Sequence, residues 1–205
     1  MVRGLSSGER AALVISECQR AMVDEELRGP RDDLARNVDK LGTLEAIAEL
    51  AAAFRRTGSP VVHSWLTPHD DWRAFSVNCA LAGVVKRTGA LRDGLPGVEP
   101  HPTVAPQPED LVVRRRTGMT SFEGTDLDAL LRAMRIDTVV LVGVSVNVAV
   151  HGSALEAVNR GYNVVVPTDC VAGVGPTADA MLRDIYPLLA TVTDRDAVAA
   201  ALEVR

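Results

Sequence analysis

Apolar positions along this chain fall into two alternating kinds of stretch: short unbroken runs, and longer segments with apolar residues three or four apart. The alternation is clearest between Asp137 and Val174. Thr138–Val142 is too short for a helix and rich in β-branched residues, which reads as a strand buried on both faces of a parallel sheet. Gly143 ends that run, and a small-residue segment follows from Ser145 to Ala149. A helix then carries Val150, Ala154, Leu155, Ala157 and Val158 inward and closes at Gly161, a natural terminating glycine. Asn163–Pro167 is a second buried strand, so the stretch reads as a βαβ unit.

The same pattern predicts strands at Ala11–Ser16, Val61–Trp65, Leu111–Val113 and Ala190–Thr193, six with the two above. Leu44, Ile47, Ala48, Ala51 and Phe54 fall at helical spacing, with Thr43 as N-cap and Gly58 as terminator. Further helices are expected over Val77–Arg87, behind an N-cap at Thr125, from Pro176 to about Leu189 with a bend at Pro187, and over Asp194–Leu202. Leu127, Leu130, Leu131 and Met134 make the apolar stripe of the Thr125 helix. Arg28–Asp33 reads as a charged loop. Thr88–Pro108, dense in Pro and Gly, reads as one long irregular loop that covers a pocket or a subunit contact. The expectation is an α/β protein: a three-layer α/β/α arrangement on a six-stranded, mostly parallel, Rossmann-like sheet, forming a single domain over residues 1–205.

Composition narrows the classes. A net charge of −5 gives no electrostatic footprint for nucleic acid or an anionic membrane, so neither is an expected partner. Cys18, Cys79 and Cys170 are odd in number and lack metal-ligand spacing, which favours a reduced protein. No apolar run reaches the roughly 20 residues of a membrane span, and the opening MVRGLSSGER lacks the apolar core of a signal peptide. The expected location is cytoplasmic.

Candidate chemistry sits where strands give way to helices at their carboxyl ends. Glu17 lies just past the first strand and reads either as a rim carboxylate or as a solvated loop acid. The Gly143–Ala149 corner is either a site or an ordinary strand-to-helix turn. Pro68 breaks the segment that holds His63, His69 and Asp70, and no third histidine or cysteine sits at a usual ligand spacing, so no metal is expected, nor any cofactor. His63, Trp65 and Phe122 are the expected walls of a small-molecule pocket. Trp65, Trp72 and Phe75 cluster in one short segment, as pocket walls, an interface, or a satellite cluster under the loop. Arg114, Arg115 and Arg116 read as a solvated rim or an acid-pairing surface.

Four segments together carry a family resemblance. They are AALVISECQ from Ala11, SFEGTDLD from Ser121 to Asp128, VGVSVNVAV from Val142 to Val150, and the run from Ala157 to Asp169. In order and spacing they resemble the isochorismatase-like hydrolases, also called cysteine hydrolases, which include nicotinamidases, carbamoyl-amide hydrolases and isochorismatases. The resemblance implies a site built from an aspartate, a lysine and a nucleophilic cysteine. By position these fall on Glu17, Arg116 (with Arg115 one residue away) and Ala149. All three differ from the family pattern. Alanine offers no nucleophile, and arginine can clamp an anion but cannot shuttle a proton. An arginine partner favours an ionised carboxylate, which works against a general acid, while desolvation works the other way. Cys18 should point to the face opposite Glu17 and cannot replace the nucleophile.

The resemblance also implies an oxyanion hole from the Ser145 and Ala149 N–H groups, a cis Val144–Ser145 bond, and homo-oligomeric assembly. The expected function is hydrolysis of a small, anionic metabolite without a covalent cysteine intermediate. Glu17 acts as acid or base and Arg116 as anion clamp, on a vinyl ether or, with Glu17 activating water, on an amide. The alternative is a catalytically inactive member that binds a small ligand or serves in an assembly.

Overall fold

The computed structural model describes residues 2–5, 8–28 and 33–204. Its elements run β1 (Ala11–Ser16), α1 (Arg20–Val23), α2 (Glu25–Arg28), α3 (Asp33–Leu41), α4 (Thr43–Arg56), β2 (Val61–Leu66), α5 (Ala80–Thr88), β3 (Leu111–Arg115), α6 (Leu127–Ala133) and β4 (Thr138–Val144). They continue with α7 (Ala149–Asn159), β5 (Asn163–Pro167), β6 (Val171–Ala172), α8 (Gly175–Ala180), β7 (Thr191–Thr193) and α9 (Arg195–Glu203).

Every paired strand is parallel, in the order β3-β2-β1-β4-β5-β7, with β6 alongside the end of β4. Alternation sorts the strand side chains into two layers of core. Leu13, Ile15, Val140 and Val165 pack with Ile47 and Phe54 of α4 and Val198 of α9. Ala12, Val14, Val139 and Val166 pack with Leu127 of α6 and Ala154 of α7. Burial on both faces explains the unbroken apolar runs.

The α/β layering is as the sequence predicts, but the described residues form seven strands rather than six. The extra one, β6, has two residues and is held against Gly143 and Val144, too short to leave a periodic signal. Helix α3 was also not expected: its buried stripe is only Leu34, Ala35 and Val38 within a charged segment. Of the expected charged loop at Arg28–Asp33, residues 29–32 lie outside the described residues, while Arg28 ends α2 and Asp33 opens α3. In α7, Val150, Ala154 and Ala157 are buried as expected, but Leu155 and Val158 are each 40% exposed on its flank. α4 begins at Thr43 behind a left-handed Gly42, so Thr43 is its first residue and not its cap. Pro176 does open α8, but the expected long helix changes to a wider turn over Met181–Ile185 and a tighter one at Tyr186–Leu188.

The strand order reverses at one place. From β1 the chain builds outward through β2 to β3, and β4 then returns to the other side of β1. A crevice opens at such a switch point, outside the carboxyl ends of the two strands. The backbones there approach closely: a Cβ on Gly143, whose φ is +101°, would lie 2.2 Å from the Ser16 carbonyl oxygen.

Candidate active site

Glu17 leaves β1 into this crevice. Its φ of 53° is left-handed, a conformation that costs a non-glycine residue about 1–2 kcal/mol. Its N–H donates to the Ser64 carbonyl at 2.9 Å, which anchors the turn to β2. Gln19, fully buried, braces the segment from behind. Its amide donates to the Leu66 and Val98 carbonyls, and its carbonyl oxygen accepts from the Leu66 N–H at 2.8 Å. The turn so formed sends Cys18 into the core and Glu17 towards the cavity.

The Glu17 carboxylate forms a buried ion pair with Nη2 of Arg115, whose side chain is 1% exposed. Arg115 Nε also donates to the Gly118 carbonyl at 3.4 Å, while its buried Nη1 has no partner among the described residues. Burial pushes the Arg115 guanidinium down to about 10, so it remains a cation at neutral pH.

The expected role of Arg116 is corrected by this geometry. β3 runs through Arg115 in register with Leu66, so alternation places Arg115 on the inner face with Val113 and turns Arg116 away. Arg116 donates to the Thr67 carbonyl at 2.7 Å and to Asp93 at 2.8 Å, and is about one-third exposed. Hydrogen bonding from Arg116 holds the Asp93 carboxyl below its usual range against the opposing effect of burial. The arginine paired with Glu17 is therefore Arg115, while Arg116, expected as a clamp for a substrate anion, is paired with Asp93 and is not among the residues that line the cavity.

The opposite wall is the turn after β4. The Val144–Ser145 peptide is cis. Ser16 Oγ donates to the Val144 carbonyl at 3.2 Å, and the Val146 N–H donates to the Ala172 carbonyl at 2.9 Å. Tyr186 OH supports the turn from below through the Val146 carbonyl at 2.9 Å. Asn147 brackets the backbone of Val174, accepting from its N–H at 2.6 Å and donating to its carbonyl at 3.3 Å. Ala149 is the first residue of α7, where an N–H has no intrahelical acceptor and the helix dipole favours developing negative charge. Glu17, Ser145 and Ala149 line one cavity of about 400 Å³, walled otherwise mainly by apolar side chains.

The isochorismatase domain, as a family, matches this chain over residues 11–197. The chain belongs to the isochorismatase family. It is 36% identical over 92 residues to the uncharacterised isochorismatase family protein YecD of Escherichia coli O157:H7, which covers 44% of this chain and 48% of that protein. It is 31% identical over 138 residues to maleamate amidohydrolase of Pseudomonas putida, 64% of this chain and 60% of that enzyme. The chain thus spans about half the length of the curated relatives it matches. A solved cysteine hydrolase from Pseudomonas syringae pv. phaseolicola 1448A shares the fold, with a TM-score of 0.85 at 23% identity, over 100% of this chain and 97% of that one.

Three side chains expected to wall the pocket of this isochorismatase-family protein do not reach it. His63 and Trp65 point to one face of β2 by alternation. His63, 1% exposed, meets Asp110 at 3.1 Å, and Asp110 is also held by Arg55 at 2.6 Å. Trp65 is buried under the Arg114 guanidinium. Phe122 is packed in the second core layer, stacked on Tyr162. Trp72 packs edge-on against Phe75, which sits on a small cluster of Ala21, Leu66 and Leu91, the satellite arrangement. Thr125 does work at its helix start, accepting from the Leu127 N–H at 3.2 Å, although α6 begins two residues later.

Asn147, within the Gly143–Ala149 corner, lines the cavity, whereas Met119 and the α5 residues Leu81, Val84 and Val85 carried no signal in the sequence as its walls. The Pro- and Gly-rich loop contributes Ala90 and Leu91 to the cavity. Its Pro96–Val98 turn is pinned by Gln19, so it buttresses the site. Among the described residues no group of three or more His, Cys, Asp or Glu side chains could hold a metal ion.

Proposed function

We propose that this isochorismatase-family protein is a hydrolase of small amides that works without a covalent cysteine intermediate. The observation that carries the reading is the buried carboxylate of Glu17, paired with Arg115 and facing Ser145 and Ala149 across one cavity. Arg115 favours the ionised form of its partner, which suits a base better than the general acid a vinyl ether would need. The maleamate amidohydrolase relative supports an amide over a vinyl ether.

In this reaction Glu17 takes a proton from a water molecule as the water oxygen adds to the amide carbon. The charge that develops on the carbonyl oxygen is met by the N–H groups of Ser145 and Ala149 at the start of α7. The C–N bond then breaks as Glu17 returns the proton to the leaving nitrogen, giving a carboxylic acid and an amine. Ala149 stands where the family resemblance places the nucleophile, and its methyl leaves room for the water.

The same alanine favours a second reading, a catalytically inactive member that binds a small ligand. A panel of small primary amides, followed by mass spectrometry of the products and of the intact protein, tests the two. Hydrolysis with no covalent adduct on the protein is expected. An acyl adduct on any residue contradicts the proposed route, and binding without hydrolysis selects the second reading.

A further inference from the structure

Resting on the reading of this cavity as the active site, we propose that it selects an uncharged ligand with an apolar body and rejects carboxylates. The charge of the walls is the first argument. Among the described residues that line the cavity, the only ionisable side chains are Glu17 and Asp33, both acidic. Arg115 is engaged with Glu17, Arg36 with Asp33, and Arg116 with Asp93 and the Thr67 carbonyl, and none of the three lines the cavity. The Glu17–Arg115 pair presents no net charge, and it is Glu17, not Arg115, that lines the cavity. The spare Nη1 of Arg115 is itself buried, and Arg115 is not among the residues that line the cavity. A bound carboxylate would lose its hydration, find no cation among the described lining residues and face like charge.

The apolar walls are the second argument. Leu66, Leu91 and Met119 line the interior. Leu81 and Val84 of α5 and Val174 line the same cavity, yet are 43%, 39% and 42% exposed. Of α5 only Ala82 is buried and Val85 leans on the small cluster of Ala21, Leu66 and Leu91, so it is Leu81 and Val84 that face the cavity with no such cluster behind them. Exposed apolar side chains gathered at the mouth of one concave site mark where an apolar body docks. An occupying ligand would remove them from water.

Matched probes test the selectivity directly: benzamide and hexanamide against benzoate and hexanoate, with binding read by calorimetry and thermal shift on the full chain. The amides are expected to bind the wild type at least about tenfold more tightly than the matched carboxylates. Leu81→Ser with Val84→Ser should weaken amide binding by about tenfold while leaving the melting temperature unchanged, because both side chains are exposed. Glu17→Gln uncovers the Arg115 charge and should raise carboxylate affinity relative to the wild type. Carboxylates binding as tightly as amides, no binding of either class, or wild-type affinity in the double variant would each overturn the proposal. So would a wild-type dimer that the double variant breaks, since these side chains would then belong to a subunit contact. Amide-selective binding without hydrolysis would uphold this inference and sink the hydrolase reading. Glu17-dependent hydrolysis with a preference for carboxylate-bearing substrates would do the reverse.

Discussion

Two adjacent arginines differ here by one step of strand alternation, and that step separates a buried partner from a half-exposed one. Removing the Arg115 charge strands the Glu17 carboxylate in the interior, which typically costs about 3–5 kcal/mol. Arg116 and Asp93 are solvent-accessible, and a pair of that kind contributes less than about 1 kcal/mol. Arg115→Met should therefore lower the denaturation midpoint strongly and Arg116→Met only slightly, in parallel urea titrations. Equal effects would contradict the assignment. The charge run itself could not decide between the two, because the end of a strand is the least regular part of its periodic pattern.

His63 carries a pH dependence of its own. Burial lowers its proton affinity below the usual value, although the hydrogen bond His63 donates to Asp110 opposes this. Asp110 is pushed up by burial, but Arg55, the Gln107 N–H and His63 together hold it below the usual carboxylate range. In both cases the unfolded chain binds more protons than the folded one, so stability rises with pH through each window. The histidine contribution is complete above about pH 6.5 and is lost on acidification below it, while that of Asp110 is lost below about pH 4. His63→Gln should flatten the slope of unfolding free energy between about pH 5 and 7 and leave the steeper acid limb in place. An unchanged slope would remove His63 from the account. In the sequence His63 grouped with His69 and Asp70 as a polar side chain near a pocket; only the position of Asp110, 47 residues on, shows it to be a brace.

At the scale of elements, the β1–β4 contact fixes the site. Alanine at Gly143 would meet the Ser16 carbonyl at 2.2 Å with a φ of +101°, so Gly143→Ala should destabilise the protein by at least about 1–3 kcal/mol, read by thermal denaturation. A wild-type melting temperature would show that the two strand ends can separate without cost. The turn at Glu17 sends Cys18 into the core, where burial pushes its thiol up to about 12, and burial likewise raises Cys170. Cys79 at the start of α5 is exposed. Native alkylation should label Cys79 alone and leave hydrolysis intact, with peptide mapping as the check. Inactivation traced to Cys18 or Cys170 would overturn the cysteine-free route.

Long buried strands were legible because burial on both faces writes an unbroken apolar run, as in Thr138–Val142, although β4 continues through Gly143 to Val144. β6 and α3 were not, because one is set by its neighbour and the other buries too narrow a stripe for the pattern to show. The cavity walls fared worse than the strands. Met119, Leu81 and Val84 are brought together only by the packing of a loop and a short helix, which no local period encodes. Glu17 and the Ser145–Ala149 turn were legible because a parallel sheet concentrates its chemistry at strand ends.

For the whole molecule, the sheet brings residues 17, 115 and 149 to one crevice at the point where strand order reverses, and the family match spans the elements that do so. The proposed hydrolysis depends on Glu17 as the base that activates the water attacking the amide carbon. Steady-state hydrolysis of a neutral amide by wild type and Glu17→Gln tests it most directly. A fall in kcat of about a hundred- to ten-thousandfold is expected, with amide binding retained, since general base catalysis contributes on that order. Turnover by Glu17→Gln at the wild-type rate would contradict it.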